Sequence, residues 1–438
     1  MAQNLIQNTL SLLASTNRIE TPFIKVTIGE FTFGVWEQHK LSETSQDGWY
    51  RKANIKYPNY VQSLNITKIN GQVNEYTLNL TYPIRPGDDP NFFEKVFSSV
   101  SDTRKIVFSY GDLSAPEYIY RDEQAIITKV GTTFNLKGAT INYTVSAISS
   151  AFLGYSTKRP FEQWYGKPSQ RIKWLLNNPD YGLKDLFYGM TNIDLVNQLQ
   201  LIAGDDKEVQ LQRKDNMTSL DYLKYLVSCM IPDDEVGTKN ISKTFYILTI
   251  HDEAENETIN NISTRVLGGP YFKVTAVTKN IDKPDAYNLT IGYPSGNIIT
   301  DFGIQNNENY SIYYNWQGKL SSNDYVERVN GKTGEIDRVY SPVITSGNDT
   351  HSTKADDITW WSKVTQYPIS ATIKLKGLLR PALLMEYVRL NVLFHGKKHI
   401  SSGLYIITKQ VDTIDGSGYR TQLNLTKING DPDMEVGL

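Results

Sequence analysis

Leu64-Asn65-Ile66-Thr67-Lys68-Ile69-Asn70-Gly71 returns, with one aliphatic exchanged for another, as Leu423-Asn424-Leu425-Thr426-Lys427-Ile428-Asn429-Gly430. Leu64 and Ile66, like Leu423 and Leu425, fall on one face of an extended chain, and Asn and Thr fall on the other. Related alternation occurs at Leu78-Asn79-Leu80-Thr81, Ile141-Asn142-Tyr143-Thr144 and Asn288-Leu289-Thr290-Ile291. This is the pattern of antiparallel strands with one dry and one wet face. The octet near each end of the chain points to two similar β blocks.

Working outward from the first octet, Asn70-Gly71 separates two alternating runs, Val61 to Ile69 and Asn74 to Tyr82. Both residues tolerate positive φ, so the pair predicts a hairpin. Phe23 to Ile28 and Phe31 to Phe33 predict a further strand pair around Gly29-Glu30. Asp89 and Pro90 open a helix with Phe93, Val96, Phe97 and Val100 on one face. Strands follow at Lys105 to Tyr110, Gln124 to Val130 and Ala139 to Ser149. Around the second octet, strands are expected at Tyr271 to Thr278, Tyr287 to Tyr293, Ile369 to Leu375, Tyr387 to Leu393, Gly403 to Val411 and Tyr419 to Lys427. A polar stretch, residues 301–367, interrupts this block as a long insertion with Asn330-Gly331 as a turn.

Between the β blocks the period changes to that of helices. Ser169 to Leu176 lies between Pro168 and Pro179, and Thr191 to Ala203 stops at Gly204. Thr218 with Asp221 three residues on has the spacing of a capping box. Leu223, Leu226, Val227 and Met230 follow at helical spacing, with Pro232 as the stop and Cys229 as a structural thiol. At the N-terminus Ile6, Leu10 and Leu13 predict a short amphipathic helix. The expected fold is α+β and predominantly antiparallel β, with two tube-like β-barrel modules flanking a smaller helical or mixed domain. Its divisions are an N-terminal helical arm (residues 1–22), β module 1 (23–150), an insert domain (151–269), β module 2 (270–430) and a tail (431–438).

Composition narrows function by exclusion. The chain has 438 residues, 45 Lys and Arg against 47 Asp and Glu, and a formal net charge of −2. That balance argues against a dedicated nucleic-acid binder, which needs a basic excess to neutralise phosphates. A single Cys excludes a disulfide framework and cysteine-rich metal sites. No apolar run approaches the ~20 residues needed to span a bilayer. Met1 to Arg18 lacks the pattern of a signal peptide.

Catalytic patterns are equally sparse. The five His, at 39, 251, 351, 395 and 399, form no zinc motif; His395 and His399 flank a Gly-Lys-Lys turn. Gly331-Lys332-Thr333 lacks the upstream glycine of a phosphate loop. Asp88-Asp89 and Asp233-Asp234-Glu235 read as turn and capping clusters, without calcium-loop spacing. No nucleophile elbow is present. The chain is expected not to be an enzyme and to need no cofactor or metal.

Met217-Thr218-Ser219-Leu220-Asp221-Tyr222-Leu223-Lys224-Tyr225-Leu226 resembles a helix of phage baseplate hub proteins. That family takes in late control protein D and the N-terminal region of type VI secretion spike proteins. The order Gly403-x-Tyr405-Ile406-Ile407, Val411-Asp412-x-Ile414 and Tyr419-x-Thr421-x-Leu423-x-Leu425 is similar to its closing strands. Residues 371–390 resemble the lead into those strands, and residues 64–149 a tail-tube module. The resemblance covers about half the chain and leaves residues 301–367 unmatched. It implies a structural virion protein, a homotrimer whose six β modules join the tail tube protein to a separate spike protein among other baseplate subunits. DNA would pass transiently through its lumen, and assembly would occur in host cytoplasm. Tyr313, Tyr314, Trp316, Trp360 and Trp361 are the expected interface anchors. A tail-associated cell-wall or glycan hydrolase, with facing carboxylates, and a receptor-binding module, with an outward aromatic site, are the alternatives.

Overall fold

The structure, a computed structural model, describes residues 22–34, 60–98, 104–112, 120–155, 160–178, 208–211, 213, 215–230, 244–252, 256–259, 262–265, 271–278, 286–291, 299–306, 312–315, 325–329, 336–340, 369–376, 384–395, 397–399 and 401–430. The N-terminal arm, the helix expected at 191–203, the Asp233 cluster, the Gly331 turn and the C-terminal tail lie outside these residues.

The first block runs β1 (Pro22–Ile28), β2 (Phe31–Gly34), β3 (Val61–Ile69), β4 (Glu75–Pro83), α1 (Phe92–Ser98), β5 (Lys105–Asp112), β6 (Tyr120–Asn135) and β7 (Thr140–Ser149). The hairpin between β3 and β4 forms where Asn-Gly predicts it, and Gly71 takes φ +67°. Asp89 receives the Asn91 amide at 2.9 Å before α1, which buries Phe93 and Val96 against β strands. Alternation on β4 places Tyr76, Leu78, Leu80 and Tyr82 in the core.

The middle block holds β8 (Trp164–Gly166), α2 (Pro168–Asn177), β9 (Val209–Leu211), α3 (Ser219–Ser228), β10 (Thr244–His251), β11 (Asn256–Ile259), β12 (Ile262–Arg265) and β13 (Tyr271–Thr278). Thr218 caps α3 by accepting the Asp221 amide at 3.1 Å, the predicted spacing. Leu223, Leu226, Val227 and Met230 enter one core with Phe161, Ile172 and Leu175, and Cys229 is buried there. Val274 of β13 packs in this core, and β13 pairs only with β10 among the described residues.

The last block contributes β14 (Tyr287–Ile291), β15 (Ile299–Asn306), β16 (Ile312–Asn315), β17 (Tyr325–Val329), β18 (Ile336–Tyr340), β19 (Ile369–Lys376), β20 (Tyr387–Phe394), β21 (Lys397–Lys398), β22 (Gly403–Asp415) and β23 (Gly418–Gly430). Both outer blocks share one 14-stranded sheet, in the order β15-β19-β23-β22-β3-β4-β7-β6-β5-β1-β2, with β20 paired to β22 off this path and β14 and β21 paired to β20. All pairs are antiparallel except β14 with β20. The described strands trace an open path; none of their pairings closes it on itself. The polar insertion begins later than expected. Residues 301–306 belong to β15, which pairs with β19, because Phe302, Ile304 and their neighbours alternate as a strand.

Register reveals a repeat. β6 and β22 each carry Ile-Ile-Thr-Lys, at 126–129 and 406–409, and each skips one rung at its Thr. Thr128 Oγ1 donates to Ser146 O at 3.1 Å and Thr408 Oγ1 to Asn424 O at 3.1 Å. One residue earlier, the Ile127 amide donates to Arg104 O at 2.9 Å and the Ile407 amide to Glu386 O at 3.1 Å. Counting rungs outward from these bulges matches β3, β4, β5, β6 and β7 with β15, β19, β20, β22 and β23, in the same chain order and the same sheet order. The two octets do not correspond in this repeat. They lie on β3 and β23, the two neighbours of β22, offset so that Lys68 and Leu423 both face Gln410. The tight Asn70-Gly71 turn of the first unit corresponds to residues 307–368 of the second.

Candidate assembly interface

The two units meet along β3 and β22, where seven rungs run from Lys409↔Ile69 to Asp415↔Ser63. The hairpin of β22 and β23 reaches past its own unit, so Ile414 and Tyr419 are buried in the core of the first. Burial at this seam extends to charged groups. Lys68 Nζ donates to Glu123 Oε1 at 2.5 Å, both side chains being buried, and lies 4.5 Å from the centre of the Tyr120 ring. Tyr76 and Tyr110 hydroxyls also donate to Glu123, at 2.9 and 3.0 Å. Asp412 accepts from Thr421 and Tyr419 on one oxygen, at 2.6 and 3.1 Å, and from Gln410 on the other, at 2.6 Å. Gln410 Nε2 lies 2.9 Å from the Tyr120 hydroxyl.

Desolvation governs the charges here. Burial pushes the Asp412 carboxyl above its ordinary value, against the pull of Thr421, Lys68, Gln410 and Tyr419. Burial, together with the neighbouring carboxylates, raises the Tyr110 and Tyr419 hydroxyls well above theirs. Each hydroxyl is therefore a fixed donor at neutral pH. A buried network in which both carboxylates are hydrogen-bonded fixes one register, since sliding the strands would strand a charge in the interior. A second anchor ties the middle block to the first unit. Asp252, fully buried, accepts from Asn74 at 2.7 Å and Ser149 at 2.5 Å, and lies 3.0 Å from the Tyr76 hydroxyl, whose single proton it shares with Glu123.

On the opposite face of the sheet the Asn and Thr residues bond to one another. Asn79 donates to Ser63 at 2.8 Å, Thr144 donates to Asn79 at 3.0 Å, and Thr81 donates to Asn142 at 2.6 Å. The middle of this wet face is uncharged, with Ser63, Asn65, Thr67, Thr77, Asn79, Thr81, Asn142 and Thr144 on it; Glu75, Lys105 and Lys129 share the same face.

Of the expected anchors, Tyr313 and Tyr314 fall among the described residues. Trp316, Trp360 and Trp361 lie outside the described residues. Tyr313 and Tyr314 lie on β16, in register with Glu327 and Val326 of β17, in a three-stranded sheet separate from the large one. Of the histidines, His251 is buried with its Nε2 2.8 Å from Thr249 Oγ1. His399 Nδ1 lies 2.6 Å from Ser401 Oγ, and His395 takes φ +48° at the turn after β20. No group of three or more metal-ligating side chains occurs among the described residues. The seam residues Lys68, Glu123, Gln410 and Asp412 went unnoticed in the sequence because they come from three distant strands. The usable signal was the repeated Ile-Ile-Thr-Lys, which marks equivalent bulges.

Fold and seam together define a class: a mainly antiparallel β protein that holds one five-strand unit twice in a continuous sheet. Solved structures similar to this chain come from phage tails and type VI secretion. One is the 43 kDa tail protein of prophage MuSo2 from Shewanella oneidensis, 11% identical, covering 93% of this chain and 98% of that one, with a TM-score of 0.47. Another is a tail protein from Neisseria meningitidis MC58, 11% identical over 93% and 96%, with a TM-score of 0.46. A third is an Escherichia coli type VI secretion component, described as similar to T4 bacteriophage tail proteins, 9% identical over 84% and 73%, with a TM-score of 0.41. No protein-family profile and no curated protein matches the chain.

Proposed function

We propose that this chain is a baseplate hub subunit of a phage tail, a structural protein without turnover. Three copies, each with two tube-like β units (residues 23–150 and 286–430), form a ring of six units. One end of the ring continues the tail tube, and the other seats a separate spike. The observation that carries this reading is the repeat itself: two equivalent units joined edge to edge in one sheet, in a fixed register. Such a join, reused between copies, closes a ring and leaves no strand edge exposed. The wet Asn, Ser and Thr face of the first unit would line the lumen. It carries few charges, Lys105 and Lys129 against Glu75, so phosphates find few cations on it and DNA is not held fast. The middle block (residues 151–278) and the insertion with Trp316, Trp360, Trp361, Tyr313 and Tyr314 decorate the outside, and the aromatics face other baseplate subunits.

Light scattering of the purified chain with negative-stain imaging tests this. Three chains around an open centre are expected. Single chains with an isolated carboxylate-lined cleft would favour a hydrolase instead. A trimer with a filled centre and an outward aromatic site would favour a receptor-binding module.

A further inference from the structure

β22 divides its outer edge between two neighbours: residues 403–406 pair with β20, and residues 409–415 pair with β3. β6, its counterpart, is only half covered. Residues 120–126 pair with β5, while no described strand pairs with the same edge of residues 129–135. The missing neighbour is the counterpart of β3, which is β15. β15 stands at the far end of the sheet, with β19 on one side and no described strand on the other.

Exposure follows the missing partner. Asp412 and Ile414 on β22 are 0% and 1% exposed. Their counterparts on β6 are Thr132, which is exposed, and Phe134, at 65%. Leu136 at the tip is 89% exposed. From Val130 to Leu136 the chain carries no charge and no proline, the devices that guard a free edge. An apolar, uncharged edge of this kind is built to be covered.

We propose that residues 129–135 of β6 pair antiparallel with β15 of a second copy of this chain, repeating between copies the β22–β3 seam that joins the two units within one. The repeat fixes the register. Thr413 faces Asn65 within the chain, so Thr133 faces Gly303 of the second copy; Phe134 faces Phe302, and Thr132 faces Ile304. The two edges belong to opposite ends of the sheet, so each copy offers one and receives one. Such a head-to-tail contact grows until it closes. The core side of the new seam is uncharged, with Val130 and Thr132 where the internal seam has Gln410 and Asp412; Lys129 and Asp301 fall at its two ends. This interface deepens the assembly reading above and rests on it for the association of copies at all.

The test is a disulfide between two differently marked chains. Gly303 suits a cysteine, because a Cβ there meets nothing within 4 Å. Thr133→Cys chains are mixed with Gly303→Cys chains and exposed to a mild oxidant, with mass measured in parallel. A reducible doubling of chain mass is expected in the mixture and in neither variant alone. The control is Asn65→Cys with Thr413→Cys in one chain, which should close an internal disulfide. If copies associate and the control closes but the mixture does not link, this interface is wrong and the hub reading stands. If the chain stays single at every concentration, both fall. Phe134→Asp supplies a second measurement. It should abolish association and leave the thermal midpoint of the single chain unchanged; undiminished association would overturn the proposal.

Discussion

Asp412 shows how one residue can couple the seam to pH. Burial favours its neutral form, so the folded pKa lies above the unfolded one. The stability this group contributes is then complete below the ordinary carboxylate range and is lost as pH rises through the raised value. Asp412→Asn removes the titration. Gln410 can serve the new amide by turning its own, since its Oε1 has no hydrogen-bond partner. The stability of the variant relative to the parent chain should therefore rise as pH climbs above the ordinary carboxylate range. Urea titrations at several pH values check this; a constant difference would mean that Asp412 keeps its charge through the donors around it. None of this was legible in the sequence. Asp412 stands in an alternating strand like any solvent-facing residue, and its burial is imposed by β3, which lies some 340 residues earlier in the chain.

At the scale of elements, local chemistry carried most of the reading. Asn70-Gly71 gave the hairpin, Thr218 and Asp221 gave the cap of α3, and alternation gave the strands of both outer blocks. Each signal is written within a few residues of its effect. Two features escaped because they depend on register. The insertion was placed at Asp301, since polar Asn residues beside a strand blur its end. The octets suggested a correspondence between β3 and β23 that the pairing replaces with β3 and β15. The equivalent bulges supply a prediction. Thr128→Val and Thr408→Val each remove the hydroxyl that holds a skipped rung, and each should cost about 1 kcal/mol. Chemical denaturation of the single and double variants measures it. Additive losses of similar size are expected, because the two hydroxyls play one role at separate sites. A cost at only one of them would contradict the repeat.

For the whole molecule, the seam makes the two β units interdependent. Ile414 belongs to the second unit by sequence and to the core of the first by packing. Ile414→Ala should cost about 2–5 kcal/mol, as large-to-small changes in buried positions do. Calorimetry should show the melting of both β units shifting together. Separate transitions, with only one displaced, would mean that the seam is weaker than its burial suggests. The sequence announced two β blocks but not their fusion, because edge pairing between distant strands leaves no local mark.

The unequal turns of the repeat have a directional consequence. The β6–β7 and β22–β23 hairpin tips lie at one end of the strands, and both are short. The Asn70-Gly71 turn lies at the other end, beside the exit of β7 into the middle block. Its counterpart there is the long segment 307–368. In an assembled ring one rim would thus present a short hairpin tip from every unit. The opposite rim would alternate bare and decorated units. Were the ring the trimer proposed above, a partner reading the first rim would count six and one reading the second would count three, and its polarity would be written in the length of one turn.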